Sequence, residues 1–154
     1  MSNLQSTAKI AGHSLHPMLV PFPIACFVGA LVCDMLGTAD QTFWFRASEY
    51  LLGAGIVMAL LAAVMGFTDF LGDARTRALS IAWFHFLGNL IVVLIEAFNW
   101  YRRYSGGTLD STGIVLSVIA VLLTLVTGWF GWQMTLRRLF RGLVGPHGVL
   151  KPGR

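Results

Sequence analysis

Four apolar stretches, residues 20–36, 50–71, 79–100 and 112–134, limit the folds open to this chain more than any other feature. Each approaches the ~20 residues with which a helix crosses a hydrocarbon core. They are apolar on every side, which excludes the half-exposed helices of a soluble bundle. Composition agrees: 56% of the 154 residues are hydrophobic and 12% are charged, and the mean hydropathy is +0.71. A soluble fold could not cover that much apolar surface. The connectors 37–49, 72–78 and 101–111 are short, the last broken at Gly106-Gly107, and leave no room for a second domain or a crossover. Consecutive spans are therefore expected to be antiparallel neighbours. The expected architecture is a single all-α transmembrane domain over 1–154, an antiparallel four-helix bundle. Neither an internal repeat nor β-barrel alternation is found.

The flanking charges orient the bundle. With an even number of spans, one side holds both termini and the second loop, and with them Lys9, Arg75, Arg77, Arg137, Arg138, Arg141, Lys151 and Arg154. The other side holds only Arg46, Arg102 and Arg103. Positive residues favour the cytoplasmic side, so both termini are expected there, in a multi-pass protein of the cell's inner (plasma) membrane. The polar start, residues 1–12, carries no signal-peptide pattern, and no cleaved leader is expected. The net charge of +4 is spread over span flanks rather than gathered into an aromatic-rich basic patch, so nucleic acid is not an expected partner. Cys26 and Cys33 share a helical face about 10 Å apart along the axis, too far for a disulfide.

All four histidines fall toward the side of the termini: His13 and His16 before the first span, His85 two turns into the third, His147 in the tail. His85 carries the most weight. An ionisable group at membrane depth needs to face the bundle interior and find a partner. Asn89 follows it by four residues and Glu96 by a further seven, making one polar stripe that must point inward. Asp69, near the end of the second span, is expected at a similar depth, either near His85 or paired with Arg75 or Arg77. Glu96 is expected to pair with Arg102 or Arg103. Pro17, Pro21 and Pro23 oppose regular helix at the start of the first span, so helix is expected from about Pro21, with His16 on an extended entry segment. Gly128 and Gly131 allow close approach on the fourth span.

Several of these segments resemble one family. The run from Gly12-His13-Ser14-Leu15-His16-Pro17 to Ala25 resembles the opening of the domain of unknown function 2231 family of bacterial membrane proteins. Gly66-Phe67-Thr68-Asp69-Phe70-Leu71-Gly72 is similar to its motif ending helix two. Trp83-Phe84-His85-Phe86-Leu87-Gly88-Asn89 is similar to its histidine and asparagine on helix three, and Gly128-Trp129-Phe130-Gly131 to the start of its final motif. In the tail, Arg137-Arg138-Leu139-Phe140-Arg141 separates the helix end from Pro146-His147-Gly148-Val149. The resemblance implies four helices and a site built from His16, Asp69 and His85; relatives that resemble Rieske iron–sulfur fusions imply a redox context.

Three functions are weighed. The first is a b-type haem held by His85 and by His16 or another histidine, with electrons passing between quinone and another membrane or redox protein. The second is a transition-metal site drawn from His13, His16, Asp69 and His85, with Asn89 beside them and His147 as a further candidate ligand. The third has no cofactor: a small accessory subunit or scaffold of a larger membrane complex, with an oligomer as one form, whose histidines join helices. No nucleophile motif or phosphate-binding loop is present.

Overall fold

A computed structural model of the chain describes residues 9–10, 13–37, 41–72, 74–106 and 110–143. A two-residue antiparallel ladder of β1 (Lys9–Ile10) and β2 (His13–Ser14) precedes the helices α1 (Leu15–Leu19), α2 (Pro21–Leu36), α3 (Gln41–Gly72), α4 (Ala74–Arg77), α5 (Ser80–Gly106) and α6 (Ser111–Leu143). Within them Leu15–Leu36, Thr42–Gly72, Ser80–Gly106 and Ser111–Met134 are each long and apolar enough to cross a membrane.

Helical geometry begins at Leu15, not Pro21, so His16 lies on a helix instead of an extended segment. Pro17 falls in the first turn of α1, where a missing N–H leaves no bond unmade, and Pro21 and Pro23 repeat the device at the start of α2. Val20 donates its N–H to the His16 carbonyl at 3.2 Å across the junction. The helices also outrun the apolar stretches: α3 begins at Gln41 and α5 continues to Gly106. Hydropathy marks only the length that suits lipid. A helix continues wherever polar side chains find partners, as Arg46 does with Glu49 one turn on, at 2.8 Å. Beyond α3, Arg77 donates to the carbonyls of Phe70 and Leu71, which closes the helix end with a cation.

α2 packs on α3 and α6, and α5 packs on α6 and α3, so the four long helices form a ring, with α1 laid on α3. Phe27 and Ala30 of α2, Leu52 and Ala59 of α3, Val92 of α5 and Ala120 of α6 fill its centre. Close approach is built in at Gly55, where an added Cβ would come within 2.6 Å of the Phe27 ring. The outward faces are apolar: Val57, Leu60, Leu61 and Val64 on α3, Leu87, Leu90, Ile91 and Leu94 on α5, Leu122, Leu125 and Val126 on α6. The buried set, in contrast, includes Asp34, Ser48, Glu96, Asn99, Arg103 and Ser117. A shell more apolar than the interior reverses the order of water-soluble proteins and suits a lipid surround.

Candidate functional site

His16 and His85 come together at one end of the bundle. α1 places His16 against α3, where its Nδ1 lies 2.8 Å from the Ala62 carbonyl. α5 places His85 against α6, where its Nδ1 lies 2.8 Å from the Thr127 carbonyl. A carbonyl only accepts, so each Nδ1 carries a proton, and in a neutral ring with that tautomer Nε2 is the acceptor. The ring centres are 6.2 Å apart and the planes cross at 86°.

Two glycines make room for the rings. A Cβ on Gly66 would lie 2.8 Å from both Cε1 and Nδ1 of His16, and one on Gly131 would lie 3.0 Å from Cε1 of His85. At Gly66, therefore, even a methyl group would displace the imidazole. Asn89 steadies the other wall. Its Nδ2 donates to the His85 carbonyl at 2.7 Å, and its Oδ1 accepts from Thr127 Oγ1 at 3.4 Å. Since His85 Nδ1 is itself a donor, the 3.3 Å approach of Asn89 Nδ2 to it is a contact between two donors rather than a bond. Close by in sequence, Phe70 of α3 and Phe86 of α5 stack at 5.6 Å, and Trp83 lies edge-on to Phe70 at 4.9 Å.

The remaining expected ligands are placed differently. Asp69 is half-buried on α3, three residues past Gly66, while Arg77 turns to backbone carbonyls. Among the described residues no three His, Cys, Asp or Glu side chains gather closely enough to hold a metal ion, so His16, Asp69 and His85 do not form such a set. His13 lies in β2, where its Cα partner is Ile10. His147 lies outside the described residues.

A second polar centre occupies the opposite end. Arg103 of α5 grips Asp34 of α2 with Nη1 2.6 Å from Oδ1 and Nη2 2.8 Å from Oδ2. Its Nη1 also donates to Ser48 Oγ of α3 at 2.6 Å, and its Nη2 to Ser117 Oγ of α6 at 3.1 Å. Ser48 in turn donates to Asp34 Oδ1 at 2.6 Å. Each long helix supplies a residue. Arg103 Nε donates to Asn99 Oδ1 at 3.1 Å, and Asn99 Nδ2 donates to Glu96 Oε2 at 3.2 Å. Glu96 thus reaches Arg103 only through Asn99. Arg102 pairs with Asp110 instead, at 2.6 Å.

This second centre was missed in sequence. In the sequence Asp34 is one polar residue at the end of an apolar run, and Arg103 is one of the flanking cations. The only signal was that a carboxylate so near the apolar stretch needs a cation somewhere.

The family model described as predicted membrane protein (DUF2231) matches residues 12–140. Searches of curated proteins and of solved structures found no match.

Proposed function

We propose, from the premise that the chain belongs to the DUF2231 family of predicted membrane proteins, that it is a b-type haem protein whose haem His16 and His85 would hold. Its role is to pass electrons between a membrane donor such as quinone and a redox partner. The observation carrying this reading is the pair of imidazoles, each with Nδ1 turned to a backbone carbonyl, 6.2 Å apart and crossed at 86°. Imidazole–metal bonds of about 2 Å, with about 1 Å from nitrogen to ring centre on each side, ask for a separation of about 6 Å.

Haem suits this donor set better than a bare ion. A zinc or similar centre wants three or four protein ligands, and only two histidines meet among the described residues. Haem would ask only two side-chain nitrogens of the protein, those of His16 and His85, and would supply one-electron chemistry. The protein does the rest. Ala62 and Thr127 fix each tautomer and, by accepting the Nδ1 proton, strengthen the donor at Nε2. Gly66 of α3 and Gly131 of α6 let the rings lie close to those helices.

A second reading rests on the same hydrogen bonds. His16 ties α1 to α3 and His85 ties α5 to α6, which is what a cofactor-free accessory subunit would ask of them. The deciding measurement is the dithionite-reduced minus oxidised spectrum of the detergent-purified chain expressed with ample haem. A sharp α band with a shifted Soret, lost in both His16→Ala and His85→Ala, is expected. A flat spectrum from folded protein would remove the haem reading and leave the structural one.

The arrangement in the membrane belongs to the same proposal. Contacts of residue 16 with 62, 27 with 55 and 34 with 48 run in opposite directions along α1–α2 and α3, which supports antiparallel neighbours. The excess of cations on one side supports termini in the cytoplasm of a bacterial cell, with the bundle in its inner membrane. Reporter fusions at the C-terminus test it; a signal from the far side would reverse the orientation.

A further inference from the structure

Glu96 is fully buried, and among the described residues nothing hydrogen-bonds its Oε1. Its Oε2 has one donor, the neutral amide of Asn99. The cations of this end are already matched one to one. Arg103 is bidentate on Asp34 of α2, Arg46 of α3 holds Glu49, and Arg102 holds Asp110 at the start of α6. Those pairs comprise the charged groups that α2, α3, α5 and α6 present around Glu96 among the described residues. An ionised Glu96 would add a net negative charge where burial makes uncompensated charge most costly. Adding a proton removes that charge and leaves the Asp34–Arg103 pair intact.

We propose that Glu96 is a proton-binding site inside the bundle, a carboxylic acid that holds its proton at neutral pH and exchanges it at the Arg103 end. The ligand is the proton itself. Loading converts carboxylate and proton to the acid with no other bond broken, and unloading reverses it. Asn99 bridges the site to the Arg103–Asp34 pair, so the acid is wired to a polar cluster while its other oxygen has no partner among the described residues. None of this depends on haem at the histidines.

The chain has only two glutamates, Glu49 and Glu96, which gives a direct test. The full chain is prepared with its glutamate side-chain carboxyls carbon-13 labelled, and their signals are read by infrared or NMR at pH 7. One protonated and one ionised carboxyl are expected, in equal amounts. Glu96→Gln should remove only the protonated signal and leave thermal stability within a few degrees, because glutamine reproduces a neutral acid in size and hydrogen bonding. Two ionised carboxyls at pH 7 would overturn the proposal. So would a protonated signal that survives Glu96→Gln, since the acid would then be Glu49. The labelled unsubstituted protein answers the question even where the variant folds poorly.

Discussion

Arg103 and Asp34, 69 positions apart in sequence, form a two-pronged ion pair that is almost wholly sealed from solvent, with side-chain exposures of 2% and 0%. Removing one member leaves the other as a buried charge without its partner. Asp34→Asn or Arg103→Leu should each lower stability by on the order of 3–5 kcal/mol. Replacing both together should cost much less than the sum, because no charge is then stranded. Denaturant-induced unfolding in mild detergent measures this, and additive losses would show that the two residues act independently.

Gly66 and Gly128 make a matched pair of tests. A methyl at Gly66 would press on the His16 ring, whereas an added Cβ at Gly128 has nothing within 4 Å. In nitrogen-15 histidine spectra, Gly66→Ala should shift the His16 signals and weaken its Nδ1–H bond to Ala62. Gly128→Ala should leave all of the ring signals in place. If the protein carries haem, the first substitution should also reduce haem per chain. Equal spectra for the two variants would mean that His16 does not lie against Gly66.

Where α5 meets α6, a Cβ at Gly88 would fall 2.3 Å from Thr127 Cγ2. Gly88→Ala should therefore destabilise the bundle by about 1–3 kcal/mol, as overpacking does. Adding Thr127→Ser removes the methyl group in the way and should recover most of the loss. Failure of the second change to rescue the first would place the strain elsewhere.

At the start of α6, Asp110 caps the helix by accepting the Gly113 N–H at 2.8 Å and pairs with Arg102. The backbone bond first, and then the arginine, hold its carboxyl below the ordinary value of 3.8. The folded state therefore prefers the anion. Its contribution is complete above that ordinary value and disappears as the pH falls through the lower, folded one. Asp110→Asn keeps a capping oxygen but has no proton to gain, so its melting temperature should depend less on pH at and below that value. Parallel slopes for the two proteins would contradict the assignment.

The spans and the inward face of α5 were legible because they are local. Twenty apolar residues announce themselves, and His85 with Asn89 is a spacing of one helical turn. The meeting of His16 with His85 was legible only as an expectation, since it depends on how α1 leans against α3. The expectation of extended chain around Pro17 fails because a proline opposes helix in the interior but not in a first turn, and the sequence does not say which turn it occupies. The Asp34–Arg103 centre was opaque for a different reason. Its members come singly from four helices, and no spacing along one segment relates them. The expected pairing of Glu96 with a neighbouring arginine failed because both candidates had distant or loop partners that a local reading does not weigh.

The same ion pair has a consequence for how the chain is made. Asp34 leaves the ribosome 69 residues ahead of Arg103, which at ~5–20 residues per second is an interval of roughly 3–14 s. For most of that interval, of the side chains that bond Asp34 among the described residues, Ser48 alone has been synthesised. Until α5 arrives, the insertion machinery, the lipid headgroups or a proton must shelter that side chain. The first half of this protein is thus incomplete by itself, and its final seating in the bilayer has to wait for the second.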